Sequence, residues 1–167
     1  TFTCSLGSVQ NLTPGAANGF AVAVTNPQTS NLEFKNVAGL LKFEISGDNI
    51  GEVVIQGNDD ETLAGKVNVS WNGGEPSYSV VEGARTITLK AVDNGAFTPG
   101  IYYAAVLPQT FAKGITVTMK PCRFAIGAVI KHSYQPGNIV RSYPDAIEIG
   151  RASVKNIASI DFVFEAS

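Results

Sequence analysis

The chain has 167 residues, with 12 Lys+Arg against 14 Asp+Glu and one His, so a net charge of −2 offers neither a basic face for nucleic acid nor a strong steering field. At 44% hydrophobic and 16% charged, the composition excludes a disordered chain. Apolar runs such as 102–107 fall far short of the roughly 18 residues that a membrane helix needs.

Residue types then set the structural class. Val and Ile total 30 against 8 Leu, and 12 Thr add to the β-branched share. Such side chains are stiff at χ1 and suit a pleated surface better than a helix. The 17 Gly, 8 Pro and 12 Asn cut the chain into short pieces, leaving no room for helices of ordinary length.

Taken in chain order, strands are expected at 20–25, 32–34, 40–46, 52–56, 66–71, 78–81, 85–90, 101–107, 115–120, 124–130, 146–149 and 160–164. Several show a period of two, the mark of a strand with one wet face. Val67, Val69 and Trp71 alternate with Lys66, Asn68 and Ser70. Ile87 and Leu89 alternate with Thr86, Thr88 and Lys90, and Ile115, Val117 and Met119 with Thr116, Thr118 and Lys120. The segment 101–107 is apolar on both faces, which predicts a central strand covered on both sides.

Asn18-Gly19, Asn72-Gly73 and Asn94-Gly95 offer the positive φ that tight hairpins need. Thr98-Pro99-Gly100 has the chemistry of a type II turn with Gly100 at positive φ. About ten short strands at this spacing, with no helical crossovers, predict an all-β, antiparallel β-sandwich. Residues 131–145 are the least regular stretch and read as a surface loop. A cut there leaves too little for a second core, so residues 1–167 read as one β-sandwich domain.

The chain opens Thr-Phe-Thr-Cys without an initiator Met, the expectation for a processed or cut piece of a longer precursor. Export would permit a Cys4–Cys122 disulfide; in a reducing compartment the same residues would be two separate buried thiols. One His and no CxxC do not make a metal site, and no cofactor motif is present. The Asp59-Asp60-Glu61 run gathers three carboxylates in a turn, but without the ligand spacing of a calcium loop. His132 stands beside Ser133 without a nucleophile elbow, so no catalytic constellation is found and the chain is read as non-enzymatic. Among the aromatics, Tyr78, Tyr134 and Tyr143 are candidates for a flat platform on which a sugar ring stacks, against the plainer reading of sheet packing.

The run 32–43 (Leu-Glu-Phe-Lys-Asn-Val-Ala-Gly-Leu-Leu-Lys-Phe), then Leu63-Ala64-Gly65, 97–108 (Phe-Thr-Pro-Gly-Ile-Tyr-Tyr-Ala-Ala-Val-Leu-Pro) and Gly114-Ile115-Thr116-Val117, resembles the fimbrillin-like family of Bacteroidetes surface proteins. The resemblance covers roughly residues 32–120 and rests on strand and turn motifs. It implies a transthyretin-like, Greek-key sandwich and export through a lipoprotein signal. It also implies a place at the cell surface, outer membrane or fimbrium, with any membrane attachment through a lipid anchor on the precursor. The implied role is a fimbrial subunit or adhesin, and the implied partners are other fimbrial subunits or surface ligands, glycans included. Family members usually carry two sandwiches and this chain is long enough for one. Assembly of that kind works through sheet edges, which offer unpaired N–H and C=O groups to a partner strand. In the C-terminal run 159–165, Ile160, Phe162 and Phe164 alternate as a donor strand requires; the run also fits the domain's own last strand. The alternative function is a carbohydrate-binding module of a secreted or surface glycan-utilisation protein.

Overall fold

A computed structural model describes residues 2–16, 21–25, 32–46, 50–72, 75–91, 95–121 and 139–157. Among them there are fifteen strands and no helix. In chain order these are β1 (Phe2–Leu6), β2 (Val9–Leu12), β3 (Ala21–Thr25), β4 (Leu32–Asn36), β5 (Gly39–Ile45), β6 (Ile50–Gly57), β7 (Ala64–Asn72) and β8 (Glu75–Ala84). They continue as β9 (Thr86–Ala91), β10 (Gly100–Val106), β11 (Gln109–Phe111), β12 (Ile115–Pro121), β13 (Ile139–Tyr143), β14 (Ile147–Ile149) and β15 (Val154–Asn156). The protein is an all-β sandwich.

The main sheet has the order β13-β12-β6-β9-β2, and its register explains its core. Val117 faces Ile55 and Ile55 faces Ile87; Met119 faces Val53 and Val53 faces Leu89. All six are at most 1% exposed, so two cross-strand rows are fully buried, and they include the predicted inward residues Ile87, Leu89, Val117 and Met119. Burial of one such side chain stabilises by about 1.5–3 kcal/mol. The alternate residues form the wet face, where Glu52 lies between Lys90 at 3.7 Å and Lys120 at 3.8 Å. These pairs are solvent-screened and contribute little each.

Two three-stranded sheets, β1-β7-β8 and β10-β5-β15, add their inner rows to the same core. On β5 the buried set is Leu41, Phe43 and Ile45, and Tyr102 of β10 lies opposite Phe43. The Tyr102 ring stacks on Phe43 at 6.0 Å and meets Phe97 edge-on at 5.1 Å, while its hydroxyl donates to the Thr98 carbonyl at 2.7 Å. The phenol is thus buried without an unpaired oxygen.

Several expectations are corrected. Most pairings are antiparallel, but β2 joins β9 and β15 joins β5 in parallel. There are more strands than about ten because β1, β2, β11 and β15 are short, and pairing with distant strands rather than local alternation makes them strands. The 131–145 stretch contains β13, drawn into the sheet by its ladder with β12. Gly100 has no positive φ and begins β10 opposite Ile45, so the type II turn is not formed. The expected cover of 101–107 holds for Tyr102 and for Ala104, Ala105, Val106 and Leu107, which are buried, but Ile101 is exposed, Tyr103 is half-buried, and among the described residues the strand ends its sheet instead of lying in the middle. Segments 124–130 and 160–164 lie outside the described residues.

Candidate functional site: the sheet edges

Among the described residues, the terminal strand of each sheet has one side with no paired strand, and backbone groups on such a side can be offered to a partner. These terminal strands also carry the surface's large apolar side chains. Among the described residues, the exposed large hydrophobics are Val9 on β2, Val80 and Val81 on β8, Ile101 on β10, Val140 on β13 and Val154 on β15. Among the described residues, every one of these strands ends its sheet.

The edges are not equally open. Along β10, the buried Gln10 of β2 acts as a substitute strand: its Oε1 accepts from the Ala105 N–H at 2.9 Å and its Nε2 donates to the Ala105 carbonyl at 2.8 Å. Further along, the Gly15 N–H donates to the Ile101 carbonyl at 2.8 Å, so this edge is closed at two points. Edge β13 carries Arg141 at a core-side register position, opposite the buried Val117. A charge placed there disfavours addition of another strand. The ten-residue β8 has a register shift that leaves Val81 between the pairs Val67–Val80 and Lys66–Glu82. Such a bulge twists an edge locally. β15 is only three residues long and wholly exposed.

Near β13 a polar knot ties two turns together. Asn58 donates from Nδ2 to the Lys113 carbonyl at 2.8 Å, accepts at Oδ1 from Thr116 Oγ1, and donates its backbone N–H to Gly114 at 3.0 Å. The three carboxylates of the neighbouring run face separate partners. Asp59 pairs with Lys113 at 2.6 Å, Asp60 accepts from Gln56 at 3.4 Å, and Glu61 accepts the Asp59 N–H at 2.8 Å. The hydrogen bond and charge of Asp59 hold the Lys113 ammonium above its usual range. Among the described residues, no group of three acidic, His or Cys side chains is arranged to hold a metal ion.

Of the candidate residues, Cys122, Tyr134, Ile160, Phe162 and Phe164 lie outside the described residues, as does His132. Cys4 is half-buried against the core, and that burial pushes its thiol pKa up. Tyr78 and Tyr143 lie on different sheets, β8 and β13, each half-buried and packed against the core. The Tyr78 hydroxyl donates to the Pro108 carbonyl at 2.6 Å.

Desolvation raises the Tyr78 pKa. A group raised above its unfolded value keeps its full stabilisation below that value, about 10 for tyrosine, and loses it as pH climbs through the folded value. In an alkaline absorbance titration, Tyr78 is therefore expected to ionise after an unfolded-chain tyrosine, with stability falling in that window. The variant Y78F removes this late step, and an unchanged titration in Y78F would refute the assignment.

Sequence reasoning missed Gln10 and the edge valines. A lone Gln in a polar N-terminal stretch gives no signal of burial, and Val80-Val81 looks like any strand interior. Together the described residues form an all-β sandwich whose exposed large apolar side chains lie on strands that end a sheet. No protein-family model matches the chain, and no match to a curated protein is found.

Proposed function

We propose that the chain is a non-enzymatic structural or adhesive protein of the exported, cell-surface kind, a fimbrillin-like fimbrial subunit or adhesin that joins partners through its sheet edges. One observation carries this reading: the exposed large apolar side chains of the described residues all sit on strands that end a sheet. Scattered exposed valines are ordinary on a protein surface. Their confinement to terminal strands gives an incoming strand both main-chain partners and apolar contacts on alternate residues.

The donor is the C-terminal run with Ile160, Phe162 and Phe164. It follows directly on β15, itself an edge strand, and the Ile157 N–H still bonds to the Lys42 carbonyl at 2.8 Å. Deleting residues 159–167 tests this role. A folded monomer is expected where the full chain associates, read by light scattering and circular dichroism. A truncated chain that no longer folds would make the run the domain's own strand and end its role as donor.

A further inference from the structure

We propose that two copies of this chain pack the outward face of the five-stranded sheet against itself, about a twofold axis that passes over Val54, with no strand exchanged. The contact is between sheet faces, so it stands apart from the edge reading above.

The register places this face residue by residue. From β13 to β2, Val140 lies opposite Thr118, Thr118 opposite Val54, Val54 opposite Thr88 and Thr88 opposite Val9. One uncharged row of β-branched side chains therefore crosses all five strands. Its ends, Val140 at 62% and Val9 at 54%, are the most exposed large hydrophobics among the described residues, and its middle three side chains are half-buried. A sheet face that meets only water is ordinarily polar throughout. Valine at both ends and at the centre departs from that pattern.

Charge is confined to one side of the row. There Lys120 lies opposite Glu52 and Glu52 opposite Lys90, with the two ammonium groups 3.8 and 3.7 Å from its carboxylate. On the other side the same three strands carry Thr116, Gln56 and Thr86, which are hydroxyls and an amide.

This arrangement selects both the partner and its orientation. Sheets stack about 10 Å apart with their strands within about 30° of alignment. Two twofold axes lay the uncharged row of one copy on that of another. With the axis along the strands, Lys120 meets the partner's Lys90 and Glu52 meets the partner's Glu52, and such like-charge contacts work against the complex. With the axis along the row, each row residue meets its own counterpart and each charged row lies over a neutral one. Glu52 then faces the amide of the partner's Gln56, while Lys120 and Lys90 face the hydroxyls of the partner's Thr116 and Thr86. Every contact occurs twice with the roles of the copies exchanged, as an isologous dimer requires. Any other partner would have to match an uncharged row, a charged row and a neutral row side by side; this face, turned over, does so.

Sedimentation equilibrium of the full chain over a concentration series tests the contact. Because Val54 lies on the axis, V54K brings two ammonium groups together and V54E two carboxylates. Each is expected to raise the dimer dissociation constant roughly a hundredfold or more, whereas an equimolar mixture of the two regains a one-to-one dimer. Circular dichroism checks that both variants fold. Gln56 is exposed and supplies a second pair that decides the matter if they do not. Q56K faces the partner's Glu52 and tightens the dimer roughly fivefold, counted over two contacts, and Q56E weakens it by a similar factor. Folded V54K and V54E chains that stay monomeric when mixed overturn the axis, and so do Q56K and Q56E shifts of the same sign. A wild-type chain that is monomeric at every concentration overturns the contact. Association that ignores all four variants but is lost on deleting 159–167 also overturns it, and leaves donation by the C-terminal run standing. A dimer that survives this deletion and dissociates with V54K supports the face contact without donation.

Discussion

Replacing Gly114 with alanine is expected to destabilise the chain by about 4 kcal/mol or more, enough to abolish folding of a domain of ordinary stability. A Cβ on Gly114 would stand 1.8 Å from the Tyr143 carbonyl oxygen and 2.8 Å from that of Asp145. Both are backbone atoms, so no side-chain rotation relieves the overlap. The residue also has φ +76° and is fixed on both sides, its N–H on the Phe111 carbonyl and its own carbonyl accepting from Asn58, each at 3.0 Å. Moving it pulls the 112–114 turn away from the Asn58 knot and shifts the start of the β12–β13 ladder, where Ile115 faces Tyr143. Gly15 separates the two causes. It has the same φ, +76°, but nothing within 4 Å of its added Cβ. G15A therefore reports the conformational term alone, about 1 kcal/mol. Urea unfolding of both variants checks the pair, and equal losses would show that close approach at Gly114 is not what excludes a side chain.

The variant Q10L is expected to lose about 2–5 kcal/mol, although leucine fills much of the same volume. Gln10 is 6% exposed and is the one buried polar residue of the described core. Its carboxamide satisfies both the N–H and the carbonyl of Ala105, which is itself fully buried. Leucine leaves that donor and that acceptor without partners and away from water, and each orphan costs about 1–3 kcal/mol. Q10E keeps the acceptor for the Ala105 N–H but sets a carboxylate against the Ala105 carbonyl. Its loss at neutral pH should exceed that of Q10L and shrink in acid, where a protonated carboxyl can donate again. Chemical denaturation at neutral and acid pH distinguishes the two variants. If Q10L matches the wild type, the carboxamide does not seal the edge of β10. A destabilised edge has a functional side too, since an unsealed β10 offers Ala105 to any passing strand.

These two residues show where the sequence was mute. Gly114 stands in a resemblance motif and in a plain Ala-Lys-Gly turn, and nothing local says that Tyr143 passes over it. Gln10 is 95 residues from the peptide group that it completes. The candidate site was legible in kind, because alternating apolar strands in a sandwich imply edges, but not in place. The expectation of a covered central strand at 101–107 was right for Ala104 to Leu107 and wrong for Ile101, which is exposed, and for the strand's place, since a side-chain amide stands at Ala105 where a neighbouring strand would be. The tyrosine platform suffers from the same gap: Tyr78 and Tyr143 read alike in sequence, yet belong to different sheets.

By itself, the sequence determined the all-β class and the inward faces. Branched side chains favour extended backbone one residue at a time, and a period of two sorts each strand's residues without reference to its neighbours. Val67 and Val69, Ile87 and Leu89, and Ile115, Val117 and Met119 are accordingly buried as their alternation predicts. Only the tertiary structure decided which strands pair, in which direction and with which edges left open. The bonds that join strands are made by backbone groups common to every residue, so partner choice follows from how the whole core closes. That closure put β13 within a stretch that reads as loop, laid β2 and β15 down in parallel, and held Ala152 in a conformation that its side chain resists.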